Sequence, residues 1–469
     1  MDTAPVIDRI FAARKAAEIH VRAAAADKAF ILLHHAVNLL LLLSPRWMDD
    51  PDRRFVLSRV SGLAEDAAAL ALTVGRQVVD AAAILESGRG VVLGSVLDGR
   101  DDVSQLQRLN PDLYARFDTL RNRLFRSDWS DLDETVSLAT EKSISSQVQR
   151  RQVSEQYDAL LREIRSIDPR LAHFQLPMGL GELQSLANDS YIVIVLESQL
   201  LMQTFAIVIS RSKIHHLKLN LQGVLVSWLV PLFRRCSDAD LRTMSQAGQV
   251  MTTGLVNLWD HIVGPVLRYI KDLDIENLRP VKEPPRIWWI ACGALSQLPL
   301  HAAHPTNRPG CMHRAISSYV PTLRTLRFAR EEQLSFLQAS GAYGVEDEAD
   351  ELYECLSSVT EAVVKVRQRS TAEVLQTVHK FDIVHFACHG ESDQNDPSRS
   401  CSTIATHADR LTVRDILRET VRSSSRKTGM LFLSGCSTAD NPASHLGDEC
   451  IHLAAAYHLA GFSHVVGTL

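Results

Sequence analysis

From residue 1 to about residue 165, apolar side chains recur every three or four positions, the period of helices with one buried face. Val60, Leu63, Ala67, Leu70 and Val74 carry that spacing through one segment. The runs Ala67-Ala68-Ala69 and Ala81-Ala82-Ala83 add helix propensity and allow close helix approach. Pro111 suits the first turn of a further helix, expected to reach Phe125. Stacked antiparallel helical hairpins would account for this pattern. The tetratricopeptide signature of Trp, Leu-Gly and Tyr cannot be laid on it, so the region reads as degenerate and repeat-like.

After Pro169 the period shortens. Tyr191 to Leu196, Phe205 to Ile209 and Ile214 to Leu219 are three β-rich runs with short links, which predict an antiparallel meander. Helical spacing returns from Ala239 to Leu273, and Arg279 to Pro285 reads as a stiff, extended connector.

Strand and helix signals then alternate. Strand Ile287 to Ala291 precedes helix Leu323 to Leu337 and an acidic helix from Asp347 to Leu356. Ala362 to Val366 is β-branched and short. Ser370 and Glu373 form a capping box that opens helix Thr371 to Val378. Strand Phe381 to Ala387, helix Val413 to Glu419, strand Met430 to Leu433, helix Asp448 to Leu459 and strand His464 to Gly467 follow, with Gly461 as the left-handed cap of the last helix. Such alternation predicts an α/β domain with a mostly parallel sheet covered by helices. The organisation is thus a helical region, 1–165, a β-meander with helices, 170–278, and an α/β core, 279–469.

With 46% hydrophobic residues in a chain of 469, large cores can form and global disorder is excluded. A net charge of −5 gives no reason to expect nucleic acid or an anionic membrane as partner, and local clusters such as Arg324, Arg327 and Arg330, or Arg422, Arg426 and Lys427, read as solvated faces. Eight cysteines stand singly, at 236, 292, 311, 355, 388, 401, 436 and 450, with no Cys-x-x-Cys. This suits reduced thiols in a reducing compartment, and a cytoplasmic location is expected. The opening Met1-Asp2-Thr3-Ala4-Pro5 does not have the form of a signal peptide. Phe30 to Leu43 is apolar but contains His34, His35 and Asn38, and its 14 residues fit a buried helix better than a membrane span.

Two C-terminal phrases carry chemistry. Phe381-Asp382-Ile383-Val384-His385-Phe386-Ala387-Cys388-His389-Gly390 and Met430-Leu431-Phe432-Leu433-Ser434-Gly435-Cys436-Ser437-Thr438 are apolar runs that each stop at a reactive side chain beside a glycine. Open α/β sheets place their sites just past the carboxyl ends of such strands. A histidine at one end and a cysteine at another can pair a thiol nucleophile with its base. Their separation, 436 − 389 = 47, fits the caspase arrangement. His385 shares strand parity with His389 and reads as a packing or orienting residue, whereas Cys388 faces the other way and reads as structural. The His385/His389 spacing resembles a helical zinc motif but lies in a β-like run without the glutamate, so no metal is expected, and no cofactor. Gly88-Arg89-Gly90-Val91-Val92-Leu93-Gly94 follows a helix rather than a strand and is not a nucleotide loop.

These residues resemble the CHAT domain, a caspase- and separase-like cysteine peptidase domain commonly attached to tetratricopeptide-type helices. The resemblance is carried by Ile287 to Ala291, Leu298 to Ala303, Ser317 to Leu323, Asp382 to Gly390, Leu411 to Ile416, Leu433 to Thr438 and Gly447 to Leu469. It implies that Cys436 is the nucleophile and His389 the base of an endopeptidase. The backbone N–H groups of Gly390 and Cys436 would be the oxyanion donors. Asp448, with Glu449, would help bind a protein or peptide substrate or else cap the helix that begins there. The helices would receive a regulatory protein. Basic-specific relatives carry an acidic residue two places before the cysteine, where this chain has Ser434, which disfavours that preference. Relatives also have a strand ahead of the acidic helix. Here Gly341-Ala342-Tyr343-Gly344-Val345-Glu346 is glycine-rich, and no buried strand is expected. They continue past the position of Leu469 with more sheet and helix. A catalytically inactive scaffold or signalling adaptor is therefore the alternative reading.

Overall fold

The computed structural model describes residues 4–48, 50–98, 103–126, 140–220, 228–233, 244–276, 283–330, 340–344, 346–358, 363–366, 370–403, 410–422, 428–441 and 443–468. Cys236, Arg426, Lys427, Val345 and the stretch 331–337 of the predicted long helix lie outside them.

The first part is helical: α1 (Val6–Arg22), α2 (Ala26–Asn38), α3 (Leu40–Leu43), α4 (Asp50–Ser58), α5 (Leu63–Thr73), α6 (Val78–Gly88), α7 (Val91–Asp98), α8 (Ser104–Leu109), α9 (Pro111–Arg121), α10 (Thr140–Ile167) and α11 (Leu180–Leu186). Helix α9 starts as the sequence predicts, with Pro111 in its first turn and Asn110 Oδ1 accepting from the Leu113 N–H. Neighbouring helices pack as α1 on α2, α2 on α5 and α5 on α6. Alanine makes that approach close: Ala67, Ala68, Ala69 and Ala71 are fully buried. The helical stretch Ala26–Leu43 spans 18 residues, longer than the apolar run suggests, and is apolar enough by composition to cross a membrane. In this fold Ala29, Phe30, Leu33, Ala36 and Val37 face the core, while Leu41 and Leu42 are exposed. Helices α8–α10 close a separate small core around Phe117, Tyr157 and Ile164.

The predicted meander forms as β1 (Tyr191–Ser198), β2 (Gln203–Ile209) and β3 (Ile214–Leu219), antiparallel throughout. It does not stand alone. β1 also pairs in parallel with β4 (Arg286–Ala291), and β4 with β5 (Ile316–Tyr319), giving one mixed sheet of order β3-β2-β1-β4-β5. The continuous apolar run of β1 is explained by covering on both faces. Ile192, Ile194 and Leu196 enter the core shared with the N-terminal helices. Tyr191, Val193 and Val195 enter a second core. Helices α12 (Met244–Leu258) and α13 (Gly264–Glu276) supply Leu258, Val266, Ile270 and Leu273 to it.

The second sheet is parallel throughout, of order β13-β12-β8-β6-β7. Its strands are β6 (Ser340–Gly344), β7 (Val363–Val366), β8 (Ile383–Ala387), β12 (Thr428–Leu433) and β13 (Phe462–Val466). Among them run α14 (Leu323–Arg330), α15 (Glu346–Ser357), α16 (Thr371–Thr377), α17 (Val413–Arg422) and α18 (Leu453–Leu459). Ser370 and Glu373 form the expected capping box at α16. A small antiparallel sheet, β11-β10-β9, is built from β9 (His389–Glu391), β10 (Cys401–Thr403) and β11 (Arg410–Thr412).

One expectation is corrected here. The glycine-rich stretch at 341–344 is a strand after all, and β6 lies inside the sheet between β7 and β8. Glycine weakens a strand by entropy, but ladder partners on both sides hold β6.

Candidate active site

The site is set by register. In the parallel β8/β12 pair, Phe386 stands opposite Leu433, an offset of 433 − 386 = 47 residues. His389 and Cys436 are separated by the same 47. Both therefore leave the sheet at one height, past the carboxyl ends of adjacent strands. The Ser434 N–H donates to the Phe386 carbonyl at 3.0 Å and extends the ladder one step beyond the strand.

Beyond that step the two segments touch backbone to backbone. A Cβ on Gly390 would overlap the Cys436 carbonyl. A Cβ on Gly435 would stand 2.8 Å from Gly390 N and 2.9 Å from Cys388 O. Only glycine at both positions lets the His-Gly and Gly-Cys turns approach this closely. Cys436 and His389 are exposed. Ser437, next to Cys436, has φ +53°, a left-handed conformation rare outside glycine. Its carbonyl accepts from Ser392 Oγ at 3.2 Å. Cys388 is buried, and burial pushes its thiol pKa up, which keeps it protonated and unreactive.

A second polar group sits beside this rim. His385 Nε2 lies 2.8 Å from Glu348 Oε1 and 3.0 Å from Ser434 Oγ. Ser434 Oγ donates to the same Glu348 oxygen at 2.6 Å. Desolvation works against the Glu348 carboxylate, but hydrogen bonds from Ser434 and His385 outweigh it and hold its pKa below the ordinary value. This is not a serine triad, because one imidazole nitrogen faces both partners, whereas a relay needs acid and nucleophile on opposite nitrogens. His385 thus orients Glu348 and Ser434. Glu348 was not legible as a site residue: it belongs to an acidic helix whose sequence marks it as solvated surface.

Asp448 is not brought to this rim. It is 6% exposed, and its Oδ2 accepts from Gly62 N at 2.8 Å and Ser61 Oγ at 3.1 Å, in the turn between α4 and α5. Its carbonyl accepts from Gly90 N at 2.8 Å. Nor do Asp448 and Glu449 cap the helix that follows. Helix α18 begins only at Leu453, where His452 Nδ1 accepts from Ala455 N. Glu449 Oε2 instead accepts from Val92 N at 2.8 Å and caps α7. The exchange is reciprocal: Glu86 of α6 accepts from the N–H groups of Leu323 and Arg324 at the start of α14. Arg89 completes the seam, with Nε 3.4 Å from Glu65 Oε1 and Nη2 donating to the Ala291 carbonyl at 3.2 Å. Burial and the nearby Asp448 carboxylate push Glu65 well above the usual carboxylate range.

Cys436 and His389 thus follow neighbouring parallel-strand ends in an α/β domain packed on helices. Residues 254–469, just under half of the chain, match the CHAT domain family model. No curated protein matches the chain. Two solved chains from the Saccharomyces cerevisiae separase–securin complex, at 3.0 and 2.6 Å resolution, are similar to it at 10% identity. Each covers 97% of this chain, with TM-scores of 0.41 and 0.40. This chain in turn spans under half of them, 44% and 45%.

Proposed function

We propose that this protein is a cysteine endopeptidase in which Cys436 is the nucleophile and His389 the general base. The observation that carries this reading is the backbone interlock of Gly390 with Gly435 and Cys436 at the ends of β8 and β12. It sets the backbone turns that carry the two exposed residues against each other, which supports pairing them. His389 takes the thiol proton as sulfur attacks a peptide carbonyl, then returns it to the leaving amine. Water hydrolyses the resulting thioester. The N–H groups of Gly390 and Cys436 are the candidate donors to the tetrahedral oxyanion.

Glu348 bears on substrate preference. Its side chain is 47% exposed, and its carboxylate stands against His385 and against Ser434, two residues before Cys436. It supplies from α15 the negative charge that position 434 lacks, and it favours a cationic side chain ahead of the scissile bond.

The test is labelling with a thiol-directed peptide probe. Wild-type protein should label at Cys436, Cys436→Ala should not, and His389→Ala should label far more slowly. Folded wild-type protein that neither labels nor cleaves any member of a diverse peptide library would refute the reading.

A further inference from the structure

We infer that Thr468 is a positioning residue for the Cys436 thiol, clamping the turn that carries it from the neighbouring strand. The inference rests on the peptidase reading above and adds a residue to that site. β13 pairs in parallel with β12, so the chain leaving Val466 runs beside the chain leaving Leu433. Thr468 bonds to both sides of the nucleophile. Its Oγ1 donates to the Gly435 carbonyl and accepts from the Thr438 N–H at 3.4 Å. Its N–H donates to Thr438 Oγ1 at 2.9 Å, and its carbonyl accepts from the Ala439 N–H at 2.8 Å.

These bonds use the hydroxyl as donor and acceptor at once, which a hydroxyl can do and a methyl cannot. They fix residues 435, 438 and 439 and leave Cys436 and Ser437 spanning the gap. Ser437 holds its left-handed φ of +53° inside that gap. A non-glycine residue stays in such a conformation only when its surroundings over-determine it. The bonds from Thr468, with the Ser392 hydroxyl on the Ser437 carbonyl, are what does so. Gly467 adds closeness: a Cβ there would lie 2.9 Å from Thr438 Oγ1. Threonine is also stiff at χ1, which keeps its hydroxyl aimed. Thr468 hydrogen-bonds the residues flanking the nucleophile and acts on the thiol only through that turn.

The test compares Thr468→Val, which keeps the shape and loses the hydroxyl, with Thr468→Ser, which restores it. Two readouts are taken on the full chain. The first is the rate of iodoacetamide alkylation at Cys436 from pH 5 to 9, located by peptide mass spectrometry. The second is peptide turnover resolved into kcat and KM. Thr468→Val should shift the alkylation profile and lower kcat, by up to about 10²-fold for a displacement near 1 Å, with KM little changed. Thr468→Ser should recover both. A Thr468→Val profile and kcat equal to wild type overturns the inference. If wild type turns over no peptide, the peptidase reading fails by itself and the alkylation profile still decides the clamp. Should Thr468→Val not fold, Gly467→Ala perturbs the same bracket, and an unchanged alkylation profile there overturns the inference.

Discussion

A side chain at position 390 would overlap the carbonyl of Cys436: Gly390 and Cys436 pack main chain against main chain, with no room for a single methyl group between them. The obstacle is backbone, which cannot swing aside as a flexible side chain would. The meeting of the two strand-end turns is therefore written into glycine rather than into the reactive residues.

Gly390→Ala should accordingly uncouple the site while leaving most of the fold intact. Overpacking of this kind costs about 1–3 kcal/mol. Thermal unfolding should show a modest loss of stability, and probe labelling at Cys436 should fall far more than that loss explains. Gly435→Ala should behave alike, since its Cβ would meet Gly390 N and Cys388 O.

Asp448 ties the segment that follows Cys436 to the helical region. Asp448→Ala would leave the Gly62 N–H and the Ser61 hydroxyl without their acceptor, at a cost of about 1–3 kcal/mol. Asp448→Asn keeps an oxygen acceptor and removes a charge from beside Glu65, so it should be close to neutral or stabilising. Denaturant unfolding of the two variants side by side checks the contrast.

Burial pushes the Glu449 carboxyl up to about 7 from an ordinary 4.5, against the hydrogen bond from Val92. The folded state thus holds a proton that the unfolded chain releases. The stability this contributes is fully present below pH 4.5 and is lost as pH rises through about 7. Desolvation raises Glu86 and Glu65 as well. These carboxyls contribute a fall in unfolding free energy between pH 5 and 7, while His452 and His458, which burial lowers to about 4, contribute a rise over the lower part of that range. Glu449→Gln should reduce that slope by one proton's worth, about 1.4 kcal/mol per pH unit at most.

Glu348→Gln keeps the hydrogen-bonding shape beside Ser434 and removes the charge. Cleavage of peptides with arginine or lysine before the scissile bond should drop by roughly tenfold or more, as a charged hydrogen bond becomes a neutral one. Cleavage of peptides with an uncharged residue there should change little. A paired peptide series measures the ratio.

Much of this protein was legible from residue order. Apolar period told helical stretches from strands, because period follows from local geometry, but not that the meander joins β4 and β5 in one sheet. The two apolar runs that stop beside a glycine, before His389 and Cys436, were legible as strands, and they pair in parallel. Three features depended on the assembled fold. β6 exists despite its glycines because strands on either side hold it, and no local propensity reports neighbours. Asp448 looks like a helix-start carboxylate, but α18 begins later, and the true partners of Asp448 are Ser61 and Gly62, nearly 400 residues away along the chain. Glu348 reaches Ser434 only because α15 follows β6 in the same sheet. Period, caps and turns are short-range and are written in consecutive residues. Which carboxylate meets which N–H or hydroxyl is decided by packing between distant segments, and that appears only when the chain is folded.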